Sequence, residues 1–262
     1  MIPKTIHYVW LGKKQLSLEA RGFIKSWKKH MPDYTIKCWN EDSFNCQTIP
    51  WVREAIEHKM WAFAADYIRL YALYYEGGIY LDTDVEVLRP FDCFLNNSFF
   101  SSTEVHPGFE TYGKNNLDDH YRPKREGEAV PYFGILSAVM GAEKGNQLIS
   151  DCLDYYSKLH FINNDGTMYV KIIIPDILGI NAVKYGFKYI DKTQKLSNNI
   201  QIYDSSVFVG AISKLTKESY AIHYCEGSWR QQWWPRRKKI LYYLVKKIKN
   251  FFGISQKFNE HL

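Results

Sequence analysis

The chain has 262 residues, 46% apolar and 16% aromatic, enough to bury a sizeable core and most simply read as one large α/β domain. No apolar run is long enough to span a bilayer, and the opening Met1-Ile2-Pro3-Lys4-Thr5 lacks the charged-then-apolar pattern of a secretory leader. The net charge of +6 is confined to one end: nine of the 34 basic residues but one of the 28 acidic ones fall from Ser228 onward, leaving a near-neutral body of 25 and 27.

Residues 5–10 form a β-rich run closed by Leu11-Gly12 and predict the first strand. Residues 17–30 predict a helix whose apolar face is marked by Leu18, Phe23, Ile24 and Trp27, broken by Met31-Pro32-Asp33. Residues 35–39 are a second short strand. Strand, helix, strand is the opening of a doubly wound nucleotide-binding sheet. Residues 51–76, starting near Pro50, carry the longest helical signal, with Val52, Ile56, Met60, Phe63, Tyr67, Tyr71 and Tyr74 recurring at three- and four-residue steps as a core-facing spine.

Glu76-Gly77-Gly78 ends that helix with residues suited to positive φ. Ile79-Tyr80-Leu81 is a brief buried strand, followed by Asp82-Thr83-Asp84. In an open α/β sheet, ligands collect at the carboxyl ends of strands. On a continuing strand residues i and i+2 share a face, so Asp82 and Asp84 can address one hard divalent cation such as Mg²⁺ or Mn²⁺. Asp66 and Arg69 stand one turn apart on the flank of the helical spine. They are either an ordinary i, i+3 surface ion pair or, beside two such carboxylates, part of a site wall.

Residues 85–88 continue as strand and 98–105 form another. The segment 106–130 is long, irregular and rich in Gly, Pro, Asn and charge, as functional lids, binding loops or disordered segments are. Residues 131–142 are apolar with small side chains, 146–161 predict a helix, and 168–174, interrupted by Pro175-Asp176, are ambiguous between strand and helix. Residues 187–190, 200–203 and 219–224 are short strand candidates. Cys38, Cys46, Cys93, Cys152 and Cys225 are odd in number, scattered and without a C-x-x-C pair, which points to a reducing compartment and away from disulfides or structural zinc.

Two blocks carry a family resemblance. Ile2-Pro3-Lys4-Thr5-Ile6-His7-Tyr8-Val9-Trp10-Leu11-Gly12 resembles the opening of the family 32 glycosyltransferases. The block from Ala65-Asp66-x-x-Arg69-x-x-Ala72-Leu73 through Gly77-Gly78-Ile79-Tyr80-Leu81-Asp82-x-Asp84 resembles their signature, D-x-D motif included, and Ala221-Ile222-His223-Tyr224-x-x-x-Ser228-Trp229 resembles their close. The family includes bacterial capsular and lipopolysaccharide sugar transferases, fungal mannosyltransferases and, more distantly, clostridial glucosylating toxin domains. Residues 100–215 are similar in outline only. The segment Phe133-Gly134-Ile135-Leu136-Ser137-Ala138 and the sequence Ile174-Pro175-Asp176 depart from the family, which tends to have an Asn and a Gly-Pro there.

The resemblance implies an α/β GT-A fold, Rossmann-like with a mixed sheet, over residues 1–229. It also implies a nucleotide-sugar donor and transfer of the sugar with retention. Asp82 and Asp84 are then expected to hold Mn²⁺ or Mg²⁺ against the donor diphosphate, with Asp84 as the direct ligand and Asp82 reaching the ribose or a metal-bound water. Trp10 is expected to stack on the base, Asp66 to accept from sugar hydroxyls, Arg69 to contact sugar or phosphate, and Tyr80 to line the ribose side. His223 is either a satisfied core histidine or a third metal ligand. Ser228 and Trp229 are either a turn and a buried anchor or a closure over the diphosphate.

Residues 230–262 form a basic tail in which Leu241, Leu244, Val245, Ile248 and Phe252 share one helical face, with most lysines off it. An amphipathic helix of that kind suits an anionic membrane surface, helped by Trp229, Trp233 and Trp234, or else docks on the body with a solvated lysine face. No nucleic-acid motif accompanies the charge. The expectation is a retaining hexosyltransferase on the cytoplasmic face of the plasma membrane. It would move galactose or glucose from UDP to a lipid-linked oligosaccharide in surface-polysaccharide synthesis. The alternatives are a toxin-like protein glycosyltransferase and a non-catalytic sugar-nucleotide binder.

Overall fold

A computed structural model describes residues 1–210 and 212–225. Strand β1 (Thr5–Val9) pairs in parallel with β2 (Thr35–Trp39) on one side and β3 (Gly78–Leu81) on the other. Antiparallel to β3 lies β7 (Val139–Ala142), and antiparallel to β7 lies β5 (Phe99–Val105). Strand β9 (Ile200–Tyr203) runs parallel to β5, and β8 (Gln194–Lys195) pairs antiparallel to β9. The short β6 (Phe133–Ile135) pairs with the far half of β5. The architecture is α/β, as the residue pattern predicts, with the mixed central sheet that the resemblance implies. These directions put the carboxyl ends of β1, β3, β5 and β9 at one edge.

Alternation along β3 sorts its side chains between two layers. Ile79 and Leu81 enter a buried cluster with Trp27, Phe91, Phe94 and Phe100 on the face covered by helix α1 (Leu18–His30). Tyr80 points the other way, beneath helix α3 (Trp61–Glu76), where the Arg69 guanidinium lies 4.7 Å over its ring. A second, three-stranded sheet flanks the first: β10 (Phe208–Val209), β11 (Ala221–His223) and β4 (Val85–Val87). Trp27, fully buried, donates its indole N–H to the Val85 carbonyl at 2.8 Å and ties α1 to the first residue of β4.

Several elements differ from the sequence expectation. The helical signal over residues 51–76 is two helices, α2 (Pro50–Glu57) and α3. Between them Lys59 takes φ +59°, its N–H donating to Ile56 and that of Met60 to Ala55, a C-cap usually announced by glycine. Leu18, expected on the apolar face of α1, is 81% exposed, while Ser17 caps the helix by accepting from the Ala20 N–H. Residues 85–88 do not extend β3 but enter the second sheet. Pro175 does not interrupt an element: it sits in the first turn of helix α5 (Ile174–Ala182), where a missing N–H costs nothing. Residues 187–190 form no strand, and Asn146 caps helix α4 (Gln147–Ser157). Among the described residues no disulfide forms, and no helix is long and apolar enough to cross a membrane. Ser228, Trp229 and the tail over residues 230–262 lie outside the described residues.

The glycine pair behaves as its sequence position demands. Gly77 (φ +69°) ends α3, and Gly78 (φ +111°) starts β3 in close contact with β1. A Cβ on Gly78 would meet the Thr5 carbonyl oxygen at 2.6 Å and His7 Nε2 at 2.9 Å. His7 is fully buried, 2.7 Å from the Gly77 carbonyl through Nε2 and accepting at Nδ1 from Trp39 Nε1 at 3.0 Å, so neither it nor the backbone can retreat. Gly78→Ala is therefore expected to cost about 2–4 kcal/mol through positive φ and overpacking. A clear fall in the urea midpoint is the readout, and an unchanged midpoint would contradict this account of the junction.

Candidate functional site

Strand β3 ends at Leu81, and Asp82-Thr83-Asp84 form a turn rather than the continuing strand expected for them. The Val85 N–H closes the turn by donating to the Asp82 carbonyl at 3.0 Å, while the Asp82 N–H donates to Ala138 at 2.9 Å. The turn, rather than strand alternation, directs both carboxylates to one place. From there the chain enters β4, whose antiparallel pairing with β11 sets His223 opposite Val85. The Tyr224 N–H donates to the Asp84 carbonyl at 3.1 Å and fixes that register beside the turn. His223 Nε2 lies 3.3 Å from Asp84 Oδ1 and 3.9 Å from Asp82 Oδ2.

One ligand atom from each of Asp82, Asp84 and His223 falls within 4.8 Å of the others. Ligands held about 2.1–2.4 Å from a divalent cation lie at most about 4.2–4.8 Å apart, so the three fit around one ion. Two carboxylates and an imidazole are borderline-hard donors, better matched to Mn²⁺ than to Mg²⁺, which prefers oxygen alone.

Behind this cluster stands Arg69. The expectation left open a surface ion pair, but Asp66 and Arg69 are 8% and 5% exposed, held on the sheet-facing side of α3. Arg69 Nη2 meets Asp66 Oδ1 at 2.9 Å. Its Nη1 donates to the Ser137 carbonyl at 3.1 Å and lies 3.4 Å from Asp82 Oδ1. Tyr80 donates its hydroxyl to the same Asp82 oxygen at 2.8 Å. Burial works against the charge of Arg69, yet Asp82, Tyr80 and Asp66 outweigh it and hold the guanidinium above its ordinary pKa. Burial pushes Asp66 up to about 7 against the opposing pull of Arg69, with the Asp82 charge adding to the rise.

The structure thus brings Asp66, Arg69, Tyr80, Asp82, Asp84 and His223 together. Tyr80, expected to line the ribose side, is 1% exposed and spends its hydroxyl on Asp82. Trp10 directly follows β1 at the same sheet edge, half-buried, its indole N–H donating to the Lys14 carbonyl at 2.6 Å. Ser228 and Trp229 are outside the described residues. Sequence reasoning missed Ser137, whose carbonyl and Oγ (3.3 Å) both receive Arg69. The small-residue run around it was the available signal, but nothing local tied it to Arg69, 68 positions away.

A pH dependence follows from Asp66. With its folded pKa above the unfolded value of 3.8, the folded state holds the extra proton, and the stability gained is fully present below that value and lost as pH rises through about 7. In metal-free buffer the melting temperature of the wild type is expected to fall relative to that of Asp66→Asn between pH 5 and pH 8. A difference that stays flat across that range would contradict the assignment.

Residues 18–103 match the family described as "Glycosyltransferase sugar-binding region containing DXD motif". A curated relative, inositol phosphoceramide mannosyltransferase 3 of Schizosaccharomyces pombe, is 33% identical over 99 residues. That match takes in 36% of this chain and 28% of the relative's length. Similar solved structures include the PaToxG glycosyltransferase, with a TM-score of 0.48, 20% identity and coverage of 70% of this chain and 69% of that one. Another is galactosyltransferase LgtC with donor and acceptor sugar analogues, with a TM-score of 0.44, 14% identity and coverage of 84% and 87%. The matched stretch, residues 18–103, holds the Asp82-Thr83-Asp84 turn and Arg69, so over that stretch the chain is similar to DXD-containing glycosyltransferase sugar-binding regions.

Proposed function

We propose that the chain is a metal-dependent glycosyltransferase of the GT-A type that takes its sugar from a nucleotide sugar. The observation that carries the reading is the convergence of Asp82, Asp84 and His223 within 4.8 Å beside the buried Arg69. Asp82, Asp84 and His223 would together hold Mn²⁺ or Mg²⁺. The cation supplies charge neutralisation at the departing nucleoside diphosphate.

The remaining work falls to the chain itself. Tyr80 and Arg69 fix the orientation of the Asp82 carboxylate. Arg69, anchored by Asp66 and the Ser137 carbonyl, offers a charged donor whose position is set before substrate arrives, so no reorganisation is needed as negative charge develops. Asp66 accepts from hydroxyls of the donor sugar, and Trp10 stacks on the base from the end of β1.

The finer reading is transfer with retention. The C1–phosphate bond breaks, the C1–acceptor oxygen bond forms on the same face, and the departing phosphate oxygen takes the acceptor proton. UDP-galactose or UDP-glucose is the favoured donor, with Ser228 and Trp229 closing over the diphosphate. The acceptor is a lipid-linked oligosaccharide of surface-polysaccharide synthesis, met at the cytoplasmic face of the membrane, with residues 230–262 resting on anionic lipid.

Three outcomes are expected. Wild-type protein hydrolyses UDP-galactose or UDP-glucose in the presence of Mn²⁺, and Asp84→Asn slows this by about 10²–10³-fold with circular dichroism unchanged. Absence of hydrolysis and of any thermal shift with UDP-, GDP- or CMP-sugars plus Mn²⁺ would remove the enzymatic reading, and a shift with GDP-mannose alone would overturn the UDP choice. Vesicles containing phosphatidylserine are expected to sediment the full chain at low salt but not a chain ending at residue 229. Equal sedimentation of both would remove the membrane role of the tail.

A further inference from the structure

The end of β5 and the first residues of the segment after it, which the donor chemistry leaves unused, line a second pocket at the same sheet edge. Its floor and walls come from Glu104, His106, Leu136, Ser205, Gly210 and Lys214, around about 390 Å³ of empty volume open to solvent. Glu104 Oε1 and His106 Nε2 lie 3.4 Å apart on one side. The opposite side is locked by Asp191, which accepts from Thr103 Oγ1 at 2.6 Å, Ser205 Oγ at 2.6 Å and Lys214 Nζ at 2.8 Å. Burial works to raise the Asp191 carboxyl, but these donors prevail and bring it down to about 2, so the wall stays charged and fixed.

Two independent links join this pocket to the carboxylate turn. Leu136 lines the pocket, Ser137 receives Arg69 and Ala138 accepts from Asp82, so one tripeptide spans at most about 7 Å between the two places. On the other wall, β10 and β11 pair Val209 with Ile222, the residues directly before Gly210 of the pocket and His223 of the Asp82–Asp84 cluster.

The stretch that follows His106 and Pro107 of the pocket exposes a pair of aromatic rings. Tyr112 and Tyr132 are 62% and 48% exposed with ring centroids 5.8 Å apart. Tyr132 takes φ +65°, an unfavourable conformation for a bulky side chain, and its carbonyl accepts from the His106 N–H at 2.9 Å. A glycine at 108 makes room for its ring, since a Cβ there would lie 2.8 Å from it.

We infer that this pocket and the tyrosine pair form the acceptor site, and that the acceptor is a pyranoside whose apolar ring face lies on Tyr112 and Tyr132 while its hydroxyls meet Glu104, His106 and Lys214. The assignment fits the chemistry of a sugar, which presents C–H faces to aromatic rings and hydroxyls that both donate and accept. A carboxylate, an imidazole and an ammonium satisfy both roles. It rests on the glycosyltransferase reading above, and places the acceptor one tripeptide from Asp82.

The test uses the full chain and a panel of methyl glucosides, galactosides, mannosides and N-acetylglucosaminides in both anomeric forms. Saturation-transfer NMR without donor is expected to show binding of at least one glycoside, with the signal lost in Tyr112→Ala, a solvent-exposed position, and in the isosteric Glu104→Gln. With UDP-sugar and Mn²⁺, the ratio of transfer onto that glycoside to donor hydrolysis is expected to fall at least tenfold in both variants. No saturation transfer to any glycoside, or full retention by both variants, overturns the inference. Hydrolysis and transfer falling in equal proportion assigns the pocket to the donor and overturns it too. Absence of donor hydrolysis with glycoside binding intact overturns the enzymatic reading alone.

Discussion

The antiparallel pairing of β4 with β11 is the contact on which the site depends. A turn after β3 aims Asp82 and Asp84, but only the β11 strand, returning 139 positions after Asp84, brings His223 to 3.3 Å from that carboxylate. The pairing is held from both sides. Trp27 donates to the Val85 carbonyl, the Val87 N–H donates to Ser26 Oγ at 3.0 Å, and Tyr224 caps the ladder through the Asp84 carbonyl and, at 2.6 Å, through its hydroxyl to Glu86. A cation site built this way is part of the tertiary structure, and its ligands lose their mutual geometry together if the ladder opens.

Arg69 solves an electrostatic difficulty that the turn creates. Two carboxylates one residue apart repel each other, and a third, Asp66, lies buried behind them. One guanidinium with a fixed fork of donors touches Asp66, Asp82 and the Ser137 carbonyl at once, and its cationic face lies on the Tyr80 ring. Lysine could not make these contacts simultaneously. The cost is that Asp66, almost fully desolvated, is held near neutrality in pKa.

The strand directions set the working edge. Because β1, β3, β5 and β9 all end there, Trp10, the Asp82 turn and the Glu104–His106 segment lie at the same edge of the sheet. The same logic governs ligand placement in open α/β sheets generally.

How much of this was legible beforehand varies with the range of the physics involved. Short-range signals read true: the β1 run, the Gly77-Gly78 junction and the β3 strand follow from side-chain period and backbone conformation within a few residues. The D-x-D block and Arg69 named the chemistry for the same reason, being consecutive or one turn apart. Local signals misled where another residue took an unexpected conformation. Lys59 at positive φ splits a helix that its spine spells as continuous, and Pro175 opens a helix it was expected to break. The sequence by itself determined which residue types Asp66, Arg69, Tyr80, Asp82 and Asp84 bring to one stretch, because those lie within one helix, one turn and one strand. Only the tertiary structure decided that Asp66 and Arg69 are buried, that Ser137 anchors Arg69, and that His223 stands beside the turn, because burial and cross-strand register depend on chain segments dozens to more than a hundred positions apart.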